Sequence, residues 1–385
     1  MASAFVYSKE GIHREKISKG LMPLGLKASF TSETGTVTKL LAEINPALFI
    51  LDWQSLDLTR NAQLLRSVDA MDQESKIMRI ICCENPDPSI LALAKETGVR
   101  KVIPYSSLGL DLKKVASMIQ MGASDGQKFC NEVRRLREAG KDDQANKYIE
   151  TAYAKDKNSP DVRLEYGNMM FLKSELKVAL DIATNLVKED DLNVRAMNLL
   201  SRIAMKNGDF ATATKVLERA NVLSPKHPDR LALLGDAYFG TGDKKKATAS
   251  YSDALKEDPK NKGAVSGLGT IKLEEGDSEA LVELFSAHSS EAETAGFFNN
   301  SAVQAVKEGK LEESLKLYEV ALRALKTDRF KGLIYYNIAL NYRRLNRLDD
   351  ALKAAKRAVK YDSTFDKAKK QLEEIEAVIA KKSAA

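Results

Sequence analysis

The stretch PDRLALLGDAYFGTGDKKKATASYSDALKEDPKN, residues 228–261, decides the fold of most of this chain. It contains two segments with apolar residues at helical spacing, separated by Gly242 and followed by Pro259. Many of its residues recur at steps of 34: Leu200 with Leu234 and Leu268, Gly208 with Gly242 and Gly276, Ala213 with Ala247, Ala220 with Ala254, and Pro225 with Pro259. This period predicts a stack of helix-turn-helix units, each burying its apolar face against its neighbours.

The pattern resembles that of tetratricopeptide repeats. Residues 228–261 match it at Leu231, Leu234, Gly235, Tyr238, Ala247, Tyr251, Ala254 and Pro259. The small residues let helix axes approach closely, and proline cannot continue the second helix, so it separates one unit from the next. The resemblance implies an all-α tetratricopeptide superhelix that binds another protein.

The period predicts about seven repeats over residues 126–365 and a C-terminal capping helix and tail over 366–385. The repeats are 126–159, 160–193, 194–227, 228–261, 262–294, 295–328 and 332–365. The unit at 262–294 is one residue short and has His288 where the pattern has alanine. We interpret its second helix as frayed or displaced, with a change of direction in the array as a hypothesis and an error of register as the alternative.

Residues 1–124 lack the period and form a separate predicted domain. Short apolar runs at 4–7, 26–30, 47–51, 77–83 and 101–103 alternate with helical stretches at 12–22, 36–44, 89–97 and 110–121. Continuous apolar strands predict a doubly wound, five-stranded parallel α/β sheet with helices on both faces. Ligands of such sheets bind beyond the carboxyl ends of the strands, where Asp52 lies.

The segments PALFILD, residues 46–52, and ETGVRKVIP, residues 96–104, resemble the receiver domain of bacterial response regulators, a flavodoxin-like fold. The resemblance implies that Asp52 accepts a phosphoryl group from a histidine kinase. It also implies Mg²⁺ as a cofactor if Asp52 is phosphorylated, and no cofactor otherwise.

The chain departs from the receiver pattern around this aspartate. Ser8 and Lys9, followed by Glu10, occupy the positions of the family's acidic pair. Cys83 and Glu84 stand where the family has threonine or serine, and Ile103 replaces the lysine before proline. Two hypotheses follow. Either Glu10 or Glu84 replaces the missing metal ligands and Asp52 is still phosphorylated, or the domain is a silent pseudo-receiver in which Lys9 pairs with Asp52.

The resemblance to tetratricopeptide repeats also implies a concave groove lined by the first helix of each unit. The candidate partner-binding residues are Arg195, Asn198, Arg202, Asp236, Phe239, Asn299, Tyr336 and Arg343. Such a mixed groove suits a protein or peptide partner. Chaperone-binding members of the family hold a C-terminal carboxylate with a defined set of lysine, asparagine and arginine, and the best-formed repeats here lack the lysine at position 5. Each groove residue also fits an ordinary solvated helix surface.

Composition limits the remaining functions. The chain carries a net charge of +6, and residues 326–385 alone carry +7, which makes nucleic-acid binding a less favoured alternative to a solvated helix face. Three cysteines without metal-type spacing predict free thiols in a reducing compartment. No apolar run is long enough to span a membrane.

Histidines far apart in sequence and the lack of a phosphate loop or nucleophile elbow predict no enzymatic activity. We interpret the chain as a cytoplasmic bacterial signalling adaptor of a phosphorelay pathway. The alternative is a constitutive scaffold with a silent pseudo-receiver.

Overall fold

The computed structural model describes residues 3–72, 76–121 and 124–383, and the chain forms two compact units, Met1–Gly242 and Asp243–Ala385. In these described residues the first unit contains a five-stranded sheet with its helices and seven further helices, and the second contains eight helices. Every helix in the described ranges is too short or too polar to cross a lipid bilayer. The domain boundaries expected from the sequence stay predictions.

Strands and helices alternate throughout the N-terminal region. The elements are β1 Ser3–Tyr7, α1 Gly11–Leu21, β2 Lys27–Thr31, α2 Val37–Ile44, β3 Leu48–Asp52, α3 Leu58–Met71, β4 Met78–Cys83, α4 Pro88–Glu96, β5 Lys101–Pro104 and α5 Leu108–Met121. The five strands lie near the segments predicted from the apolar runs. The helix α3 was not predicted, because its apolar residues are interrupted by polar ones such as Arg60 and Asn61.

The sheet is entirely parallel, with the order β2-β1-β3-β4-β5. One face is covered by α1 and α5, whose residues Ile17 and Leu112 pack with Val6 of β1. The other face is covered by α2, α3 and α4, which contact alternate strand residues such as Phe49 and Leu51. The predicted five-stranded parallel sheet is therefore confirmed.

From residue 125 onward the described chain is helical. The helices are α6 Asp125–Glu138, α7 Asp142–Lys155, α8 Pro160–Leu172, α9 Leu176–Glu189, α10 Val194–Lys206, α11 Phe210–Leu223, α12 Pro228–Gly240, α13 Lys244–Glu257, α14 Lys262–Glu274, α15 Ser278–His288, α16 Glu291–Lys307, α17 Leu311–Ala324, α18 Lys331–Arg344, α19 Leu348–Tyr361 and α20 Asp366–Ser383. The predicted all-α region is confirmed.

A glycine followed by aspartate sets several of the turns between paired helices. Gly208 and Gly276 have φ of 79° and 71°, a left-handed conformation that glycine adopts without strain. The next residues, Asp209 and Asp277, accept hydrogen bonds from backbone amides in the first turn of the following helix, at 3.0 Å each. The dipeptide therefore ends one helix and caps the next.

The irregular repeat predicted at 262–294 corresponds to a shortened helix. The helix α15 has 11 residues, whereas α13 has 14. It ends at His288, whose Nδ1 lies 2.9 Å from the carbonyl oxygen of Pro259. The following helix α16 begins early and has 17 residues, because Ser290 and Glu293 form a capping box at its start. The expected fraying of the second helix is thus a shortening with a well-capped successor.

Gly269 in α14 is expected to be intolerant of a side chain. A Cβ atom at this position would lie 2.9 Å from Cε2 of Phe285 and 3.1 Å from Cζ of Phe297. We expect Gly269→Ala to lower the free energy of unfolding by about 1–3 kcal/mol, measured by urea unfolding with circular dichroism. Gly296→Ala in α16 is the control. Among the described residues, no atom beyond the local helix backbone lies within 4 Å of a Cβ placed at this position, so helix propensity should raise stability by about 0.5–1 kcal/mol. Equal stability of Gly269→Ala and wild type would contradict close packing here.

Candidate functional site

Asp52 lies at the carboxyl end of β3, next to Cys82 of β4 in the sheet register. Its side chain is fully buried. The chain turns sharply just after it, through a short helical turn at Trp53–Ser55, and a similar turn follows β5 at Tyr105–Ser107. These turns fold polar side chains back over the end of the sheet, so Asp52 is enclosed rather than open to solvent.

Four side chains contact the Asp52 carboxylate. Ser8 and Ser55 donate hydroxyl hydrogen bonds to Oδ2, at 2.7 and 2.8 Å. Nδ1 of His13 lies 3.1 Å from the same oxygen, and the hydroxyl of Tyr105 donates to Oδ1. We call these five residues the Asp52 cluster. They come from the ends of β1, β3 and β5 and from α1, so the sheet topology brings them together.

The surroundings of Asp52 keep the hydroxyl of Tyr105 and the thiol of Cys82 protonated. Burial raises the pKa of Tyr105, and its hydrogen bond to Asp52 raises it further, so the phenol stays a donor. Burial and the charge of Asp52 also raise the pKa of the Cys82 thiol. The ring of His13 stacks on Tyr105 with centroids 4.5 Å apart. The hydroxyl of Tyr105 and the thiol of Cys82 therefore stay protonated beside Asp52.

This arrangement limits the chemistry available to Asp52. A carboxylate has about four acceptor sites, and here the contacts with Ser8, Ser55 and His13 converge on Oδ2 while Tyr105 donates to Oδ1. Attack on a phosphoryl donor requires access from solvent, which the fully buried side chain does not have in this conformation. The geometry suits a structural carboxylate that ties together three strand ends.

The predicted pocket residues occupy different places around the Asp52 cluster. Ser8 contacts Asp52 directly. The side chain of Lys9 is exposed, and its backbone amide donates to the Ser55 hydroxyl at 2.8 Å. The predicted pairing of Lys9 with Asp52 is therefore not found, and the side chain that lies beside Asp52 is that of His13. Glu10 is half exposed, with its carboxylate 3.5 Å from Nδ1 of His13.

The remaining pocket candidates do not contact the carboxylate. Cys83 and Ile103 are buried in the two apolar layers on opposite faces of the sheet. Glu84 is exposed beyond the end of β4. Burial raises the pKa of Cys83 to about 11, which keeps this thiol protonated. Sequence reasoning missed Ser55, His13 and Tyr105, although Tyr105 directly follows the last strand, where a pocket residue is expected.

The residues around Asp52 do not fit a Mg²⁺ ion. Magnesium in proteins is usually held by carboxylates, and the positions that precede α1 supply a hydroxyl at Ser8, an exposed lysine at Lys9 and a single carboxylate, Glu10, which lies against His13. Within the described ranges, no group of three or more histidine, cysteine, aspartate or glutamate side chains is arranged to hold a metal.

A second polar cluster lies where the N-terminal region meets the repeat helices of the first unit. Glu96, the last residue of α4, accepts hydrogen bonds from Arg230 of α12 at 2.7 Å and from Arg66 of α3 at 3.3 Å. The hydroxyl of Ser224 also donates to it. Arg66 reaches further, to the carbonyl oxygen of Pro225 at 2.6 Å. We call Glu96, Arg66, Ser224 and Arg230 the junction cluster.

The junction cluster is nearly closed to water, which strengthens the interactions between its charged side chains. The side chains of Arg230 and Glu96 are 0% and 7% exposed. Burial alone raises the pKa of Glu96, but the charges of Arg230, His227 and Arg66 oppose it and lower the pKa to about 2. Beside the cluster, Ala92 of α4 packs among Val194, Met197, Ala220 and Leu223 of α10 and α11. Apolar and ionic contacts together fix this junction.

The groove candidates in the first unit lie on α10 and α12. Arg195 donates to Glu165 at 3.0 Å and to Asp161 at 3.3 Å. The guanidinium of Arg202 lies 4.4 Å above the ring of Phe171. Asn198, Asp236 and Phe239 are partly buried. Five of the predicted residues therefore lie on first helices, but Arg195 is already neutralised within the chain.

The groove candidates in the second unit are engaged in internal contacts. Asn299 accepts hydrogen bonds from Asn337 at 2.8 Å and from the Tyr318 hydroxyl at 3.4 Å. Tyr336 packs on Phe365, with ring centroids 5.0 Å apart. Arg343 donates to Glu374 of α20 at 2.7 Å. A partner-binding role for these residues stays a prediction.

Comparison with known proteins identifies tetratricopeptide repeats in two segments. Residues 204–268 and residues 333–365 each match a tetratricopeptide repeat family model. A curated relative is the heat shock protein sti1 homolog of Schizosaccharomyces pombe, 28% identical over 106 residues. The match covers 28% of this chain and 18% of that protein, so this chain spans only a small part of the relative's length.

Solved structures give similarities at low identity. A tetratricopeptide repeat protein from Parabacteroides merdae is 13% identical, with a TM-score of 0.38, and the match covers 65% of this chain and 98% of that chain. A MamA fragment from Desulfovibrio magneticus RS-1 is 21% identical, with a TM-score of 0.34, and the match covers 42% of this chain and 92% of that chain. At these scores the similarities carry no functional argument.

Proposed function

We propose that this protein is a scaffold that binds a partner protein through its tetratricopeptide repeats, and that its N-terminal receiver-like domain is a silent, structural part of that scaffold. Tetratricopeptide repeats generally mediate protein-protein interaction, which supports the first half. The parallel strand order 2-1-3-4-5 is shared by flavodoxin-like folds and supports the receiver-like assignment.

The observation that carries the second half of the proposal is the state of Asp52. Its carboxylate is fully buried and contacted by four polar side chains. The junction cluster also ties α4 to α12, so a movement of the receiver-like domain would break a buried ion pair. Both features favour a constitutive scaffold over the phosphorylation-gated adaptor of a phosphorelay.

The two alternatives are separated by affinity capture with the intact chain, with and without acetyl phosphate and Mg²⁺. We expect the same captured partners in both conditions and no mobility shift of the chain in a phosphate-binding gel. Asp52→Ala, treated in parallel, controls for phosphorylation elsewhere. A shift that disappears in Asp52→Ala, with partners captured only after treatment, would support the gated adaptor instead. Capture of no partner in either condition would count against the scaffold itself.

A further inference from the structure

The loop between α11 and α12 forms one side of the junction cluster. It begins at Ser224 and ends at His227, which directly precedes α12. The carbonyl oxygens of Ser224 and Pro225 accept hydrogen bonds from Arg66 of α3. Arg230, three residues after His227, donates to the carboxylate at the end of α4. His227 therefore lies within a short stretch of chain that the N-terminal region contacts on both sides.

The surroundings of His227 favour the neutral form of its imidazole. In the described part of the chain, the buried Nδ1 of this ring has no hydrogen-bond partner. Burial lowers the pKa of His227. The charge of Glu96 on α4 opposes this effect, whereas the charges of Arg230 and Arg66 lower the pKa further. Asp229, an exposed residue of α12, raises it. The pKa in the folded chain is therefore below the ordinary value of 6.5.

The charges inside the junction cluster are already unbalanced. Arg66 and Arg230 share the single carboxylate of Glu96. A protonated His227 would add a third positive charge in a region that is nearly closed to water, where charged groups are costly unless they are paired. Protonation therefore favours states in which the junction is open and the imidazole is hydrated.

We propose that His227 makes the docking of the N-terminal region on the repeats of the first unit sensitive to pH. Above pH 6.5 the histidine is neutral and the junction has its full stability. As the pH falls below 6.5, the open state binds a proton that the closed state excludes, so α4 separates more often from α10, α11 and α12. Opening uncovers the apolar side chains of Val194, Met197 and Leu223, which pack with Ala92 in the closed junction. The inference does not depend on the proposed binding of a partner.

Hydrogen exchange of the full-length protein, followed by mass spectrometry, tests this opening. Exchange is compared at about pH 7.5 and about pH 5.5, on either side of the ordinary histidine pKa, after correction for the intrinsic rate measured with the unfolded chain. A hydrated histidine with a pKa of 6.5 is protonated about 10-fold in excess over its neutral form at the lower pH. We therefore expect the protection of α4 and α12 to fall by up to about 10-fold. Glu96 does not contribute, because its stabilisation is lost only below pH 4.5.

Variants of the histidines identify the group that titrates. The chain has 3 histidines, and they are His13, His227 and His288. His227→Gln should abolish the loss of protection, because glutamine is polar and uncharged at both pH values. The side chain of His227 makes no capping hydrogen bond to α12, so the variant removes no helix cap. His288→Gln, in the second unit, is the matched control and should retain the loss.

The Cε1–H resonances of the histidines in an NMR titration give a second measurement. The resonance of His227 is the one missing from His227→Gln or, by elimination, the one present in both His13→Gln and His288→Gln. We expect it to keep its neutral position to a pH below 6.5. Unchanged protection of α4 and α12, an equal loss in His227→Gln, or titration of His227 at or above pH 6.5 would each overturn the proposal.

Discussion

Replacing Glu96 with glutamine is expected to lower the free energy of unfolding of the first unit by about 3 kcal/mol at pH 7. The change leaves the guanidinium group of Arg230, which is 0% exposed, without its opposing charge, and it removes the ion pair between Glu96 and Arg66. The magnitude follows from the pKa of Glu96, which is lowered from 4.5 to about 2 in the folded chain. The single tryptophan, Trp53, lies in the same unit and reports its unfolding by fluorescence in urea.

The pH dependence of the same variant gives an independent check. The pKa of Glu96 is lower in the folded than in the unfolded chain, so its stabilisation is present above pH 4.5. The stabilisation is lost as the pH falls from 4.5 to about 2, because the unfolded chain then binds a proton that the folded chain does not. We expect the difference in stability between wild type and Glu96→Gln to shrink over this range.

Glu189→Gln is the matched control for the junction. Glu189 also pairs with an arginine, Arg163, but its side chain is 53% exposed. Exposed ion pairs are screened by water, so this variant should differ little from wild type. A loss for Glu96→Gln no larger than that of the control would show that the junction cluster does not hold the receiver-like domain to the repeats.

Replacing Asp52 with alanine is expected to lower the free energy of unfolding by about 3–5 kcal/mol, measured by urea unfolding with circular dichroism. The variant removes the common acceptor of Ser8, Ser55 and Tyr105, so three hydroxyl groups lose their hydrogen bond to a carboxylate in an enclosed site. It also removes the contact with His13. A phosphoacceptor with a free carboxylate would contribute much less to the free energy of unfolding.

Two further variants calibrate the loss at Asp52. Asp52→Asn retains one carbonyl acceptor, so its loss should be intermediate. Asp57→Ala, also an aspartate-to-alanine change, removes the N-cap of α3, where the carboxylate accepts from the Arg60 amide at 2.9 Å, and should cost about 1 kcal/mol. Stability of Asp52→Ala equal to that of Asp57→Ala would argue against a structural role for Asp52 and restore the gated hypothesis.

The strands of the sheet and the repeat helices could be predicted because their patterns are local. Apolar runs locate β3 and β4, and the 34-residue step locates the turn glycines Gly208 and Gly276. The early start of α16 was also readable, since Ser290 and Glu293 have the spacing of a capping box. The expectation that the preceding helix is frayed rests on His288 at a position where the pattern has alanine, and it takes no account of this capping box.

The Asp52 cluster could be predicted only in part. The position of Asp52 at a strand end and that of Ser8 after β1 follow from the order of elements. The approach of Tyr105 and His13 depends on side-chain directions after two turns, which no spacing encodes. The junction cluster has no sequence signal, because Glu96 and Arg230 are 134 residues apart and each fits an ordinary helix surface.

The packing of α4 on α10 and α11 determines how this protein can be dissected. A fragment that begins at residue 126 keeps every repeat helix, yet it uncovers the apolar side chains of Val194, Met197 and Leu223. It also leaves Arg230 without its carboxylate. Such a fragment exposes an apolar and charged surface that α4 covers in the intact chain. Binding measured with the fragment would therefore include non-native binding to this surface. The shortest fragment that keeps the native contacts of the first repeats therefore starts at β1.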